Sequence, residues 1–336
     1  MKIAVVHNQV SDRDAPDARD VLVQAETVAA GLAGLGHEVE TLSCTLNLES
    51  MRKRLLADRP DLVFNLVEDL GGSGRLIHLF PFLLDTLRIP YSGAPAEAIF
   101  LTSHKTMAKE RMRAHNLPTP EWIGPVPPRP SQPPTTGKRA WIVKSLWEHA
   151  SIGLDADSVL SGVSGAELGD VLRARGPRLG GACFAEEFIE GREFNLSLLT
   201  GEGGPVVLPP AEILFEDFGT DTPKIVDYRA KWDEGSHAYH HTPRTFDFPA
   251  EDEELLDRLR KTALRCWEVF GLEGYARVDF RVDNEGTPFI LEINANPCLS
   301  PDAGFAAALA RGGLGFDRAL ARVTAAALRR NAHEEE

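Results

Sequence analysis

Apolar and polar positions alternate at two different periods along this chain, and the changes of period divide it. KIAVVH (Lys2–His7) is a short, nearly unbroken apolar run, as expected of a buried parallel strand. Asp20–Leu35 repeats apolar residues at helical spacing and ends at Gly36, and His37–Leu42 reads as the next strand. LVFNLV (Leu62–Val67) is a further strand, and IPYSG (Ile89–Gly93) closes an open α/β unit. Ser103–His115 has a helical pattern. GPVPPRPSQPPTTG, from Gly124 to Gly137, has no apolar period and reads as a linker or exposed loop. Beyond it, strands with scattered helices give an α+β pattern. Ala306–Arg330 is alanine-rich and helical around a Gly312-Gly313 break, and no internal repeat is evident.

Two consecutive runs near the end carry the strongest chemical signal. In GYARVDFRVDNEG, Val278, Phe280 and Val282 alternate with Arg277, Asp279 and Arg281. In FILEINANPCLSPDAG, Phe289, Leu291 and Ile293 enclose Glu292 and Asn294. Asn284, Glu285 and Gly286 supply turn chemistry, so the runs read as an antiparallel hairpin. With Glu285-Gly286 at the turn centre, Asp279 faces Glu292 and Arg277 faces Asn294. Directly opposed Cβ atoms lie about 4.5–5.5 Å apart, and two carboxylates held that close repel unless a cation separates them. Asp279, Glu292 and Asn294 would form an all-oxygen site suited to a hard ion such as magnesium. Arg277 adds a donor suited to phosphate or an oxyanion. The bland alternative is a polar sheet face, and a bulge would break the register.

Composition narrows the function classes. At 336 residues the length suggests two or three domains, and 43% hydrophobic with 26% charged residues is ordinary for a globular protein. A net charge of −14 argues against nucleic acid or an anionic membrane as the main partner. The N-terminus reads as a strand rather than a signal peptide, and no apolar run approaches about 18 residues, so a cytoplasmic enzyme is expected. Cys44, Cys183, Cys266 and Cys298 are scattered, as free thiols would be. The acidic tail, residues 331–336, is expected to be disordered.

Four other places stand out. AWIVKS puts Lys144 at the end of a buried strand, and Ser151, Ile152 and Gly153 follow in a loop whose amides suit phosphate, although such a glycine-poor loop is weak evidence alone. Glu186 and Glu187 interrupt an apolar strand in CFAEEFIEGREF, where Gly191 precedes Glu193; in isolation these are surface carboxylates. Lys105 lies on an otherwise ordinary helical face, where a solvated lysine is the plain reading. Lys231 falls in a loop-like stretch from Glu216 to Pro243.

In order, SHK, VKS, SIGL, EEFIEGREF, YRAKW, RVDF and LEINANP resemble the ATP-grasp superfamily, specifically its D-alanine–D-alanine ligase group, over nearly the whole chain. The resemblance implies an open α/β N-terminal domain (residues 1–103), then central (104–190) and C-terminal (191–330) ATP-grasp subdomains of α+β type. It implies that Lys105 and Lys144 contact ATP phosphates under a flap of Ser151, Ile152 and Gly153. Glu186, Glu187, Phe188 and Ile189 would line the adenine and Glu193 the ribose. Lys231 would approach the γ-phosphate, and Asp279, Glu292 and Asn294 would bind two magnesium ions, manganese being the alternative. Arg277 would steady the transferred phosphoryl group or the oxyanion. The implied reaction joins a small-molecule carboxylate to an amine through an acyl phosphate, and a homodimer is compatible with it.

Departures from the family accompany these matches. The glycine-rich GGxSxE stretch after the first strand is here HNQVSDRDAPD, without the glutamate. The flap's serine pair is Ala150-Ser151, the tyrosine after the AK pair is Trp232, the glycine after NxxP is Cys298, and a substrate serine falls on Ala303. Together with His149 in the flap, Trp232, Cys298 and Ala303 are the expected substrate-pocket residues. Cys298 reads as a small pocket-lining residue rather than a nucleophile. His237, His240 and His241 read as substrate-facing or solvated rather than metal-bound. The expected function is an ATP-dependent carboxylate–amine ligase with a different substrate pair. A D-alanine–D-alanine ligase of peptidoglycan synthesis and a non-catalytic ATP-binding regulator are the alternatives.

Overall fold

A computed structural model describes residues 1–11, 13–125, 139–219 and 222–334. Most of the proline-rich segment expected as a linker, its residues 126–137, lies outside the described residues. Strand β1 (Lys2–Asn8), helix α1 (Pro16–Gly34), β2 (Glu38–Cys44), α2 (Leu48–Asp58) and β3 (Leu62–Leu66) form a parallel sheet of order β2-β1-β3. Tyr91 extends it by a single parallel bridge to Val63. Helix α1 begins four residues before the expected Asp20, because Pro16 at its first turn presets the helical φ. Helix α3 (Leu79–Leu87) follows. The single helix expected over Ser103–His115 is two, α4 (Ala96–Ser103) and α5 (Lys105–Ala114). His104 separates them in an extended conformation, and its side chain accepts the Met107 amide proton as an N-cap.

A second sheet, antiparallel and ordered β4-β7-β5-β6, comprises β4 (Trp122–Ile123), β5 (Ala140–Ser145), β6 (Val159–Ser161) and β7 (Cys183–Glu187), with α6 (Gly165–Arg175) packed on β7. The third sheet runs β11-β10-β8-β12-β13, with β9 on the flank of β8. Its strands are β8 (Arg192–Gly201), β9 (Gly204–Val207), β10 (Ala211–Ile213), β11 (Arg244–Thr245), β12 (Tyr275–Val282) and β13 (Pro288–Asn294). The stretch expected as loop between β10 and β11 contains two short helices, α7 (Tyr228–Trp232) and α8 (His237–His240), capped by the Asp227 carboxylate and the Ser236 hydroxyl. Helix α9 (Glu253–Phe270) covers one face of the sheet with Leu255, Leu259, Ala263 and Cys266 against Phe194, Leu196, Val278 and Phe280.

Two helices end the chain, α10 (Gly304–Arg311) and α11 (Phe316–Glu334). The tail expected to be disordered is thus helical as far as Glu334. Their apolar faces meet the first sheet: Leu320, Val323 and Phe305 share a core with Ile3, Val5, Leu62 and Phe64. Segments more than 200 residues apart in sequence therefore bury one another.

The hairpin β12–β13 pairs Arg277 with Asn294, Val278 with Ile293 and Asp279 with Glu292, as the alternation predicts. Beyond Asp279 the register shifts by one, so Phe280 faces Ile290. Leu291 is the extra residue of this bulge, which re-aims the side chains on the turn side. Ile290 and Ile293 are buried in the core, and the Ile290 backbone is tied to Pro118 and Thr119. Leu291, expected on the apolar face, instead lines the central cavity.

Candidate active site

A cavity of about 520 Å³ opens where the three sheets meet. Every side chain named above as a site residue lines it except Gly153. Ala150 and Ser151 adopt left-handed conformations (φ 56° and 60°), and the turn they make carries Gly153 against Leu179 instead. Gly153 itself has φ +73°, and a Cβ there would meet the Leu179 side chain at 2.3 Å, so its glycine serves packing. Part of the flap's amide set is already spent, since the Ile152 and Leu154 amides donate to His149 and Ser151 carbonyls. The flap is closed onto α7: Ser151 donates to the Val226 carbonyl at 2.8 Å and Trp232 Nε1 to the Ala150 carbonyl at 3.3 Å. Tyr228 hydroxyl donates to Asp17 of α1 at 2.7 Å, which ties the same helix to the first sheet's unit.

Lys105 is not a solvated lysine. The break at His104 puts it at the first position of α5, 9% exposed, with Nζ donating to the Glu148 carbonyl at 2.6 Å. Lys144 Nζ lies 2.6 Å from Glu186, whose other oxygen is paired with Lys109. Lys109 and Glu186 are each only 1% exposed, and Thr119 takes a further Lys109 proton at 2.7 Å. Burial raises the Glu186 carboxyl, but Lys109 and Lys144 outweigh it and hold the group below the ordinary carboxylate range. Glu186 therefore anchors two lysines rather than standing free. Glu187, Phe188 and Ile189 follow along the cavity wall. Glu193 pairs with Arg281 at 3.4 Å, and burial still raises its carboxyl above the usual range.

The oxygen site is built on the hairpin. Asp279 accepts from Arg277 twice (2.7 and 2.8 Å), from Asn195 at 2.8 Å and from Asn294 at 3.0 Å. Those donors occupy all four of its lone-pair positions. Glu292 makes no hydrogen bond among the described residues. Burial pushes its carboxyl up, yet Lys105, Lys231, His149 and Lys144 prevail and hold it down at about 2. Lys231 and His149 feel the same burial from the other side: the ammonium is lowered, and the imidazole is pushed down to about 4 and stays neutral. No group of three or more His, Cys, Asp or Glu side chains among the described residues is set to hold a metal. An ion here would rest on Glu292, the Asn294 side-chain carbonyl, phosphate oxygens and, once Arg277 swings off it, Asp279, a donor set suited to magnesium.

The remaining wall was not foreseen in the sequence. Asp17 and Asp20 of α1, with Glu68 after β3, line the cavity beside Cys298. Cys298 Sγ donates to Asp20 at 3.0 Å, and Ser300 donates to the other Asp20 oxygen at 2.8 Å. Burial, then Asp20 and Glu68, push the Cys298 thiol far above its ordinary value, which disfavours the reactive thiolate. All four cysteines are free thiols. His237 and His241 stack with ring centroids 3.8 Å apart, and with His240 they lie outside the cavity wall. No described helix is long and apolar enough to cross a membrane.

Glu68 supplies a pH test. Burial, opposed by a 2.7 Å hydrogen bond from Gln24 and reinforced by Asp20, Asp69 and Asp17, raises its carboxyl to about 7. Its folded value lies above its unfolded one, so its stability contribution is complete below the ordinary carboxylate range and is lost as pH rises through about 7. Glu68→Gln is expected to melt higher than the parent at pH 8, by on the order of 3 kcal/mol at most, and to lose that advantage at pH 5. An identical difference at both pH values would contradict this.

Comparison with known proteins agrees with this architecture. The family model described as D-ala D-ala ligase C-terminus matches residues 141–324. A D-alanine–D-alanine ligase of Moorella thermoacetica is 31% identical over 92% of this chain and 95% of its own length. One from Aquifex aeolicus is 30% identical over 83% of this chain and 86% of its own. The crystal structure of the Bacillus anthracis D-alanine–D-alanine ligase complexed with ATP superposes with a TM-score of 0.71 at 20% identity, covering 99% of both chains. The cavity between the sheets, the paired lysines and the acid–amide hairpin thus sit in an ATP-grasp fold, and the chain belongs to the D-alanine–D-alanine ligase family of ATP-dependent carboxylate–amine ligases.

Proposed function

We propose that this ligase joins an amino acid or small peptide to an amine other than D-alanine, by way of an acyl phosphate. One observation carries the reading: Ala150, Trp232, Cys298 and Ala303, four of the five departures from the family pattern, all line this cavity, while the charged groups expected around ATP are intact in it. The departures are thus gathered at the substrate end rather than scattered through the fold.

In this reading Lys105 and Lys144 hold ATP phosphates, and Lys109 keeps Lys144 in place through Glu186. Glu187, Phe188, Ile189 and Leu291 enclose the adenine, and Glu193, steadied by Arg281, takes the ribose hydroxyls. Asp279, Glu292 and Asn294 would hold magnesium, which supplies neutralisation of phosphoryl oxygens when bound. Lys231 adds positive charge beside Glu292, and the closed flap excludes water from the reactive phosphoryl group. A substrate carboxylate oxygen attacks the γ-phosphorus and ADP departs. The amine nitrogen then attacks the acyl carbon, phosphate leaves with the C–O electron pair, and the nitrogen loses its proton as the amide forms. Arg277, parked on Asp279 in this state, is positioned to meet the oxyanion.

The rival reading, D-alanyl-D-alanine synthesis, is favoured by the names of the relatives. The two diverge on one measurement. ATP-dependent phosphate release at saturating magnesium, across D-alanine and a panel of larger amino acids and small peptides, is expected to leave D-alanine behind the best substrate pair by on the order of 10²-fold in kcat/KM. Each lost hydrogen bond to a charged group costs roughly 1.5–3 kcal/mol, and hydroxyls are missing at Ala150, Trp232 and Ala303. Efficient D-alanyl-D-alanine formation with no better pair in the panel would restore the rival.

A further inference from the structure

Arg281 does more than pair with Glu193. It stands on β12, 3% exposed, and its guanidinium reaches from the third sheet into the cavity wall. One terminal nitrogen donates to the Gly191 carbonyl at 2.8 Å, just ahead of β8. The other donates to the Lys224 carbonyl and faces the Glu193 carboxylate at 3.4 Å. The Phe188 and Phe215 ring centroids lie 5.8 and 5.2 Å from its central carbon. Burial works against this charge, and Glu193 offsets it. A buried cation is tolerated only with its hydrogen bonds and counter-charge in place, so these contacts define one arrangement.

Nothing in the reaction derived above uses the Lys224 carbonyl. Lys224 stands four residues before α7, the helix that carries Lys231. Ile225 and Val226 follow it along the cavity wall, and Val226 offers its carbonyl to Ser151 of the flap. Asp227 then caps α7 by accepting the Ala230 amide proton at 2.8 Å. The Tyr228 amide donates to the Leu154 carbonyl at 3.3 Å, and the Tyr228 hydroxyl reaches Asp17. Helix α7 is thus tied to three places: the flap, α1 and, through Lys224, Arg281 of the third sheet. A five-residue helix does not hold its own shape in water, so these ties set where it lies. The Lys231 ammonium feels Glu292, Asp279 and Glu193 but has no hydrogen bond or ion pair of its own among the described residues. Its placement therefore comes from its helix.

We propose that Arg281 is a positioning residue that links the two ends of the nucleotide site: it orients Glu193 at the ribose and, by holding the Lys224 carbonyl, sets Lys231 at the transferred phosphoryl group. The proposal rests on the ligase reading above and adds to it a mechanical connection between those two ends. A lysine at this position keeps the charge, but its single ammonium lacks the planar fork that serves two carbonyls and a carboxylate at once.

The test is a pair of double-mutant cycles, read by ATP-dependent phosphate release with the best substrate pair of the panel. Arg281→Met keeps an unbranched side chain beside the two aromatic rings and removes the fork. It is expected to raise the KM for ATP about tenfold and to lower kcat about tenfold or more, since small misplacements of a charged group forfeit much of its effect. In a Glu193→Gln background the KM effect of Arg281→Met is expected to shrink to about twofold or less, and in a Lys231→Met background its kcat effect is expected to shrink likewise. Arg281→Lys is expected to fall between the parent and Arg281→Met in both constants. Additive losses in either cycle would overturn the link, because a merely structural role weakens every background alike. Parental kcat and KM in Arg281→Met would overturn it too. If the melting curve shows that Arg281→Met does not fold, the same two cycles built on Arg281→Lys decide by the same criterion. If the parent releases no phosphate with any member of the panel, the ligase reading fails first and the proposal with it.

Discussion

Glu292→Gln and Asp279→Asn are each expected to lower kcat for ATP-dependent phosphate release by on the order of 10³-fold, with a higher magnesium concentration needed for half-maximal rate. Neutralising phosphoryl oxygens is worth several kcal/mol of transition-state stabilisation, and about 1.4 kcal/mol is a factor of ten. Glu292 is the clearer case. It makes no hydrogen bond among the described residues, and Lys105, Lys231 and Lys144 keep it ionised. Asp279→Asn removes a carboxylate that also steadies Arg277 through two short hydrogen bonds, so its fold cost is the larger of the two. Melting curves and magnesium titrations on both variants separate these effects. Near-normal turnover in both would remove the oxygen site from the mechanism.

Gly191→Ala is expected to destabilise the protein by about 3 kcal/mol or more and to lower Tm by roughly 5–10 °C. Gly191 has φ +147°, and a Cβ there would stand 1.9 Å from the Val282 carbonyl oxygen, a collision with backbone that no rotamer relieves. The residue also presents its carbonyl to Arg281 at 2.8 Å, and Arg281 in turn pairs with Glu193 in the cavity wall. Relaxing the clash moves the start of β8 away from the end of β12, where Arg192 and Val282 pair. The KM for ATP should therefore rise with the loss of stability. A variant that melts with the parent would show that the approach of these two backbones is looser than drawn.

The parts legible in the sequence were those where one period covers a whole element. β1 and β3 declared themselves by apolar runs, and the hairpin by strict alternation that placed Asp279 opposite Glu292. Its turn was misplaced by half a step because a binary pattern cannot encode a bulge, and Leu291 looks the same facing core or cavity. The break at His104 was hidden because histidine is an uncommon N-cap, and with it went the burial of Lys105. Helices α7 and α8 were missed although Asp227 and Ser236 are ordinary caps, because each helix is too short to show a period. Lys109, Asn195 and Arg281 had signals that were passed over. They lie one helical turn from Lys105, and two residues along a strand from Glu193 and Asp279. The acidic wall had none, since only the tertiary fold brings Asp17, Asp20 and Glu68 to Cys298.

The core shared by the first sheet and the last helices has a consequence for how the chain is made. Ile3, Val5, Leu62 and Phe64 leave the ribosome early, but Leu320 and Val323 of α11 arrive some 250 residues after β3. At about 5–20 residues per second, that is a wait of roughly 10–50 s with an apolar sheet face uncovered. During that interval the nascent chain is sticky by construction, and only the arrival of α11 closes it.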